Sequence, residues 1–456
     1  MSRGIKKSLI ALSVSSIMAA PSAFATNGYF AHGYSTAEKG LAGAGVAHSS
    51  DSLASATNPA GMVKVGERMD IGAALFNPDR QYTVTGNSSF DPTDTTGACP
   101  GSGCFPLSTG TYESSHDVFL IPHFGMNWML DATSSVGIAA YGNGGMNTDY
   151  ENVPSPFGPG FEGTFSGAAA GAGGAAGVDL KQLFINASYA KQINKANSVG
   201  ASLIFAYQTF KAHGLAQFAP FSTDDTKLTD KGDDSSMGFG VKLGWQGDVS
   251  DVLTLGVSYQ SEMAMSEFDD YAGLFAEQGD FDIPATATIG LAWDTSKHST
   301  LVFDIQKIYY SDVAALGNGV ENLFACQGGD NNSCLGGSNG GGFGWDDMTI
   351  VKLGYEWGDD ITWRVGISNG DQPIPTGSNT PPPNGSQAMF NILAPAVIET
   401  HITGGFTLPL GADAEFAFAA MYGLNNKETG SSQFDTQNVT LEMNQFEMQG
   451  TYTMKF

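Results

Sequence analysis

Glu442-Met-Asn-Gln-Phe-Glu-Met-Gln-Gly-Thr-Tyr-Thr-Met-Lys-Phe456 ends the chain, and its side chains alternate in kind. Phe446, Met448, Tyr452, Met454 and Phe456 fall on one parity, and Gln445, Glu447, Gln449, Thr451, Thr453 and Lys455 on the other. A period of two places successive side chains on opposite faces of an extended strand, so this is a strand with one greasy face and one wet face. Such a strand also suits a soluble sheet, and the rest of the chain decides between the two settings.

The opposite end carries an export signal. Arg3, Lys6 and Lys7 precede an apolar run from Leu9 to Ala20, and Ala23-Phe24-Ala25 offers a small-residue cleavage site before Thr26. The run is too short to cross a bilayer as a helix. Removal of residues 1–25 leaves 17 basic against 46 acidic residues, a net charge of −29. That balance excludes a phosphate-backbone partner, which needs clustered Lys and Arg, so no nucleic acid is expected. After Thr26 no stretch of 18 apolar residues occurs, which excludes a helical membrane protein. An exported chain rich in glycine and aromatics, with only 14% charged residues, has one other membrane form open to it, the closed antiparallel barrel.

Residues 26–62 are small, glycine-rich and do not alternate, so they read as a compact irregular or briefly helical segment. From Glu67 onward, alternating stretches are expected as strands at 67–86, 113–130, 135–149, 181–193, 197–211, 236–249, 252–264, 284–294, 299–311, 347–358, 361–371, 397–409, 413–425 and 442–456. That is 14, an even number. Their connections alternate short and long: Asn194-Lys195-Ala196, Ser250-Asp251 and Thr295-Ser296-Lys297 are tight, whereas their neighbours are several times longer. Tight turns on one rim and long loops on the other is the plan of an outer-membrane barrel, with the turns in the periplasm. Parity assigns faces as well, placing Leu255, Val257 and Tyr259 toward lipid and Thr254, Gly256 and Ser258 toward the lumen. Trp245, Trp293, Tyr309, Tyr310, Trp357 and Tyr422 stand near strand ends, as interfacial girdles require.

Four cysteines, Cys99 with Cys104 and Cys326 with Cys334, fit two local disulfides in an oxidising compartment, although four cysteines allow three pairings. Neither pair has C-x-x-C spacing or an adjacent histidine, so no metal is expected. No cofactor motif in a suitable context and no G-x-S-x-G or H-E-x-x-H occurs, and a non-enzyme is expected.

Thr26-Asn-Gly-Tyr-Phe-Ala-His-Gly-Tyr-Ser35, Lys39-Gly-Leu-Ala-Gly-Ala-Gly-Val-Ala47 and Ala56-Thr-Asn-Pro-Ala-Gly-Met62 closely resemble the start of the FadL/TodX family of outer-membrane transporters for long-chain fatty acids and other hydrophobic compounds. Tyr141-Gly-Asn-Gly-Gly-Met-Asn-Thr-Asp-Tyr150 and Gly177-Val-Asp-Leu-Lys-Gln-Leu-Phe184 are similar to a second family signature. The resemblance implies a monomeric, all-β, 14-stranded antiparallel transmembrane barrel over 65–456 with a small N-terminal hatch, 26–64, plugging the lumen. It implies passive uptake of long-chain fatty acids, alkanes or aromatic hydrocarbons, captured at extracellular loops, bound in the lumen and released sideways at a kinked third strand. Outer-membrane lipid and lipopolysaccharide would be the surroundings, in a Gram-negative bacterium.

On that scheme Asn143, Gly144 and Gly145 fall in the third strand, where paired glycines permit a kink, and Asn58, Pro59 and Ala60 of the hatch would gate it. Apolar Phe218, Phe221, Leu274 and Phe275 lie in loops that ought to be polar, either as a substrate groove or as loop packing. Parity turns Lys242, Lys352 and Arg364 inward as cations for an anionic head group, with an ion pair to Glu356 or Glu415 the alternative. A general diffusion porin and an outer-membrane lipolytic enzyme are the rival functions. The first needs a wide charged pore, and the second a serine paired with a strand histidine such as His401.

Overall fold

The computed structural model describes residues 27–88, 106–115, 118–155, 162–165, 174–377 and 386–456. The signal segment, Cys99 and Cys104 lie outside them. Alternation drives the chain into one continuous antiparallel sheet of sixteen strands, two of them short (Gly110–Glu113 and Ala264–Met265), leaving 14 that close a barrel. In chain order these are β1 (Arg68–Thr85), β2 (Phe119–Asp131), β3 (Ser134–Tyr150), β4 (Ala176–Asn194), β5 (Asn197–His213), β6 (Asp234–Ser250) and β7 (Leu253–Gln260). They continue as β8 (Thr286–Ser296), β9 (Ser299–Ile308), β10 (Met348–Trp357), β11 (Thr362–Gly370), β12 (Thr400–Pro409), β13 (Ala414–Ser431) and β14 (Asn438–Lys455).

All 14 expected strands are present in order. Their tops differ: β4 starts at Ala176, β13 runs on to Ser431 and β14 begins at Asn438, so the connection between β13 and β14 is short. Those extensions carry Asn425, Asn426, Lys427 and Glu428, which hide the alternation, because all four are polar and the pairing with β14 bulges between Gly423 and Asn426. β1 and β14 pair from Arg68 with Lys455 to Thr85 with Asn438, which closes the sheet and removes its edges.

Burial follows parity. On β14, Gln445, Glu447, Gln449, Thr451 and Thr453 are buried in the lumen, while Phe446, Met448, Tyr452 and Phe456 face outward and are exposed. Trp293, Trp357 and Tyr422 are exposed in the same way, but Tyr310 is fully buried among the loops and is no girdle residue.

The lumen is filled by residues 27–66, with helices α1 (Thr36–Gly40), α2 (Ala54–Thr57) and α3 (Met62–Val65) and a 3₁₀ turn at Pro59–Gly61. Ser35 caps α1 by accepting the Glu38 N–H. Inward-facing glycines let this segment touch the wall at main-chain distance. A Cβ at Gly200 would lie 2.4 Å from the Pro59 carbonyl carbon, and one at Gly256 would lie 2.2 Å from the Val46 oxygen. Polar ties complete the fit. Lys39 pairs with Glu447 of β14. Arg68 Nη2 pairs with Asp70 at 2.7 Å, and Asp70 accepts from Ser52 N at 2.9 Å.

Candidate functional site

β3 breaks the regularity of the wall. Its ladder with β4 slips between Gly142 and Gly144, bulging Asn143, and its ladder with β2 stops at the pair Phe124 and Ala140. From Gly142 to Thr148 every residue is buried, where other strands alternate. A strand buried on both faces has left the lipid surface and turned inward. The result is a window in the sheet. It is framed by β1 above Phe76, by the upper half of β3 and by the start of β2, and Ser114 and Ser115 cross its top by donating to Arg80 O at 2.9 Å and Asp149 O at 2.8 Å.

The N-terminal segment takes the place of the missing strand. Ala31 N donates to Asn143 O at 2.7 Å and Gly145 N to Tyr29 O at 2.9 Å. Only glycine fits, since a Cβ at Gly144 would lie 2.2 Å from the Tyr29 oxygen. Tyr34 Oη donates to Asn143 Oδ1 at 2.9 Å, and Asn143 Nδ2 to Gln182 Oε1 at 2.9 Å. The hatch residues at the kink are therefore Tyr29, Phe30 and Ala31 rather than Asn58, Pro59 and Ala60. Those three lie under β5 and β6, where Asn58 Nδ2 donates to Val46 O at 2.6 Å and to Trp245 O at 3.0 Å. An Asn-Pro pair announces a backbone feature in the sequence, but not which wall it meets.

Above the hatch the long loops fold over the mouth and enclose an apolar cavity of about 470 Å³, counted as space free of atoms and partly open to solvent. Phe218, Leu274 and Phe275 line it with Phe210, Leu335, Phe390 and Leu393. Phe221 stands off it, its ring 6.0 Å from that of Phe434, while its carbonyl accepts the Leu335 N–H at 2.8 Å and so holds that wall. The Cys326–Cys334 disulfide closes a tight loop immediately before Leu335. Rings continue downward from Phe275 to Phe281 at 4.9 Å and from Phe281 to Tyr29 at 6.2 Å. Phe281, Tyr29, Tyr310 and Trp345 thus join the cavity to the kinked strand. No local sequence signal marks that path, because it is made by residues from three separate segments.

Below Tyr29 the lining turns polar. A second cavity is bounded by His32, Tyr34, Lys242, Asp304 and Lys352. The Lys242 ammonium donates to Ala56 O and sits 5.7 Å from the Tyr34 ring centre. Lys352 Nζ donates to His32 O at 3.3 Å and to Gly43 O at 3.2 Å. Among the described residues neither lysine forms an ion pair. Asp304 Oδ2 accepts Gly45 N at 2.8 Å and Val46 N at 3.0 Å, so that carboxylate is used by the hatch. Arg364 is different: its Nε meets Glu356 Oε2 at 2.7 Å, Glu356 also meets His48 at 3.3 Å, and the guanidinium is consumed as a brace. The ion-pair alternative thus holds for Arg364. In the hatch, burial pushes the Glu38 carboxyl up to about 8, with the nearby Asp51 charge adding to it, and burial drives the His32 imidazole well below its usual value.

A family model described as an outer membrane protein transport protein (OMPP1/FadL/TodX) matches residues 13–393. The chain belongs to the FadL/TodX family. Solved structures agree on the fold. The Pseudomonas putida toluene transporter TodX is similar with a TM-score of 0.62 at 15% identity, covering 94% of this chain and 100% of that one. A Pseudomonas aeruginosa FadL homologue gives 0.63 at 14%, covering 94% and 100%, and the Ralstonia pickettii toluene transporter TbuX gives 0.58 at 15%, covering 93% and 99%. No curated protein matches the chain. As a FadL/TodX barrel it is an outer-membrane transporter of hydrophobic compounds, in a family of transport channels rather than enzymes.

Proposed function

We propose that this barrel takes up long-chain fatty acids: the tail is captured in the loop-enclosed cavity, the carboxylate is received at Lys242 and Lys352, and the molecule leaves sideways through the window beside β3. The observation that carries this reading is the pair of buried lysine side chains that form no ion pair among the described residues, below an apolar chamber. A buried cation is stabilised by an anion that reaches it, and each methylene of a tail gains about 0.8 kcal/mol on leaving water. A water-filled diffusion pore has no use for either feature.

A neutral aromatic hydrocarbon is the second reading, favoured by the ring-lined path from Phe275 to Tyr29. Uptake of labelled oleate and toluene by cells carrying Lys242→Met separates the two. Oleate uptake is expected to fall at least about tenfold, in keeping with loss of a charge-assisted contact, while toluene entry is unchanged. Oleate uptake equal to wild type would overturn the fatty-acid reading.

A further inference from the structure

A third, narrow cavity stands at the window, about 230 Å³ of atom-free space when the solvent at its mouth is included. Its walls are Arg80 of β1, Met146 and Asn147 of the turned-in part of β3, Gly28, Trp345 and the segment 394–396. It is separate from the apolar chamber and from the lysine cavity, with which it shares no lining residue. Asn147 is 4% exposed, and its Oδ1 is buried without a hydrogen-bond partner. Leaving an acceptor so placed is costly, and such an atom marks a place where a donor belongs. The Arg80 guanidinium donates to the main-chain oxygen of the same residue, which fixes a donor-rich group on the same wall. Trp345 is held by its indole N–H on Asn391 Oδ1 at 2.6 Å, so its ring offers a fixed apolar face. Thr148 Oγ1 donates to Leu393 O at 2.8 Å, tying this wall to a residue that also lines the apolar chamber.

We propose that this cavity is an exit subsite for the hydroxyl group of an alcohol or phenol. A hydroxyl donates and accepts at once. Its hydrogen goes to Asn147 Oδ1, its oxygen faces the Arg80 side, and the apolar stem lies against Met146 and Trp345. An alkane has no group for Asn147, so the subsite favours hydroxylated over unsubstituted hydrocarbon cargo at the last step. The inference rests on sideways exit as read above and adds a selectivity of its own.

The test uses the full-length protein in liposomes, with labelled 1-dodecanol and dodecane offered to wild type, Asn147→Leu and Asn147→Thr. For Asn147→Leu, dodecanol uptake is expected to fall about fivefold, the scale of one neutral hydrogen bond, while dodecane uptake stays at the wild-type rate. Asn147→Thr keeps an acceptor oxygen and should stay within about twofold of wild type for both. If Asn147→Leu lacks the heat-modifiable mobility of a folded barrel, Asn147→Ala makes the same comparison. The two substrates changing together, or neither changing, overturns the subsite. Wild-type protein that moves neither compound also overturns the subsite, and labelled oleate in the same liposomes keeps the two readings apart: oleate uptake there leaves the fatty-acid reading standing, and its absence overturns that reading too.

Discussion

Glu38 shows how single residues hold the plug. Its carboxyl lies in α1, accepts from Thr57 Oγ1 at 2.8 Å, and is shifted upward by burial and by Asp51, with Lys352 pulling the other way. A carboxyl whose folded value lies near 8, against about 4.5 unfolded, binds more protons in the folded state between those limits. Stability from this group is therefore fully present below about pH 4.5 and is lost as pH rises toward 8. Hydrogen exchange of the amides in 36–57 should accelerate from pH 5 to pH 8 beyond the intrinsic chemical rate, and Glu38→Gln should shrink that excess, leaving the share of Asp51, whose carboxyl burial also pushes up, to about 6. Equal excess in both proteins would contradict the assignment.

At the scale of elements, β3 and the first hatch residues form a unit. Gly144→Val puts a branched side chain where the Tyr29 oxygen sits, so two main-chain hydrogen bonds at the kink cannot persist. Amides of Tyr29 to Ala31 and of Gly145 are expected to lose protection at least about tenfold, as the loss of bonds worth about 1 kcal/mol each implies, while the barrel keeps its heat-modifiable mobility. Unchanged protection would show that the bridge is dispensable. The strands themselves were legible from alternation alone, because lipid on one side and a wet lumen on the other enforce a period of two over the membrane-spanning part. Their tops were not, since Asn425 to Glu428 are all polar and follow a bulge in the pairing with β14, with Asn426 and Glu428 turned toward the loops. Parity also turned Lys242, Lys352 and Arg364 inward correctly. It carried no information on partners, so only the fold distinguished the braced Arg364 from the two lysines. The Asn143 kink was visible as a glycine pair, whereas its partner Tyr29 was not, because that contact joins residues more than a hundred positions apart.

For the molecule as a whole, closure depends on the terminal strand. Phe456 N donates to Glu67 O at 3.3 Å, and the ring faces outward at the end of the seam between β1 and β14. Deleting Phe456 should cut the yield of heat-modifiable barrel in the outer membrane severalfold, read by band shift on unheated gels. A normal yield would show that the seam forms without it. The seam has a further consequence, in time rather than in space. Thr36 meets Thr451 at 2.6 Å and Lys39 meets Glu447, so the earliest-made part of the plug finds its partners in the strand that is made last. Contacts spanning that much sequence form late. Until β14 is in place the stopper holds only its ties to the earlier strands, and these two last ties form in the same event that closes the barrel.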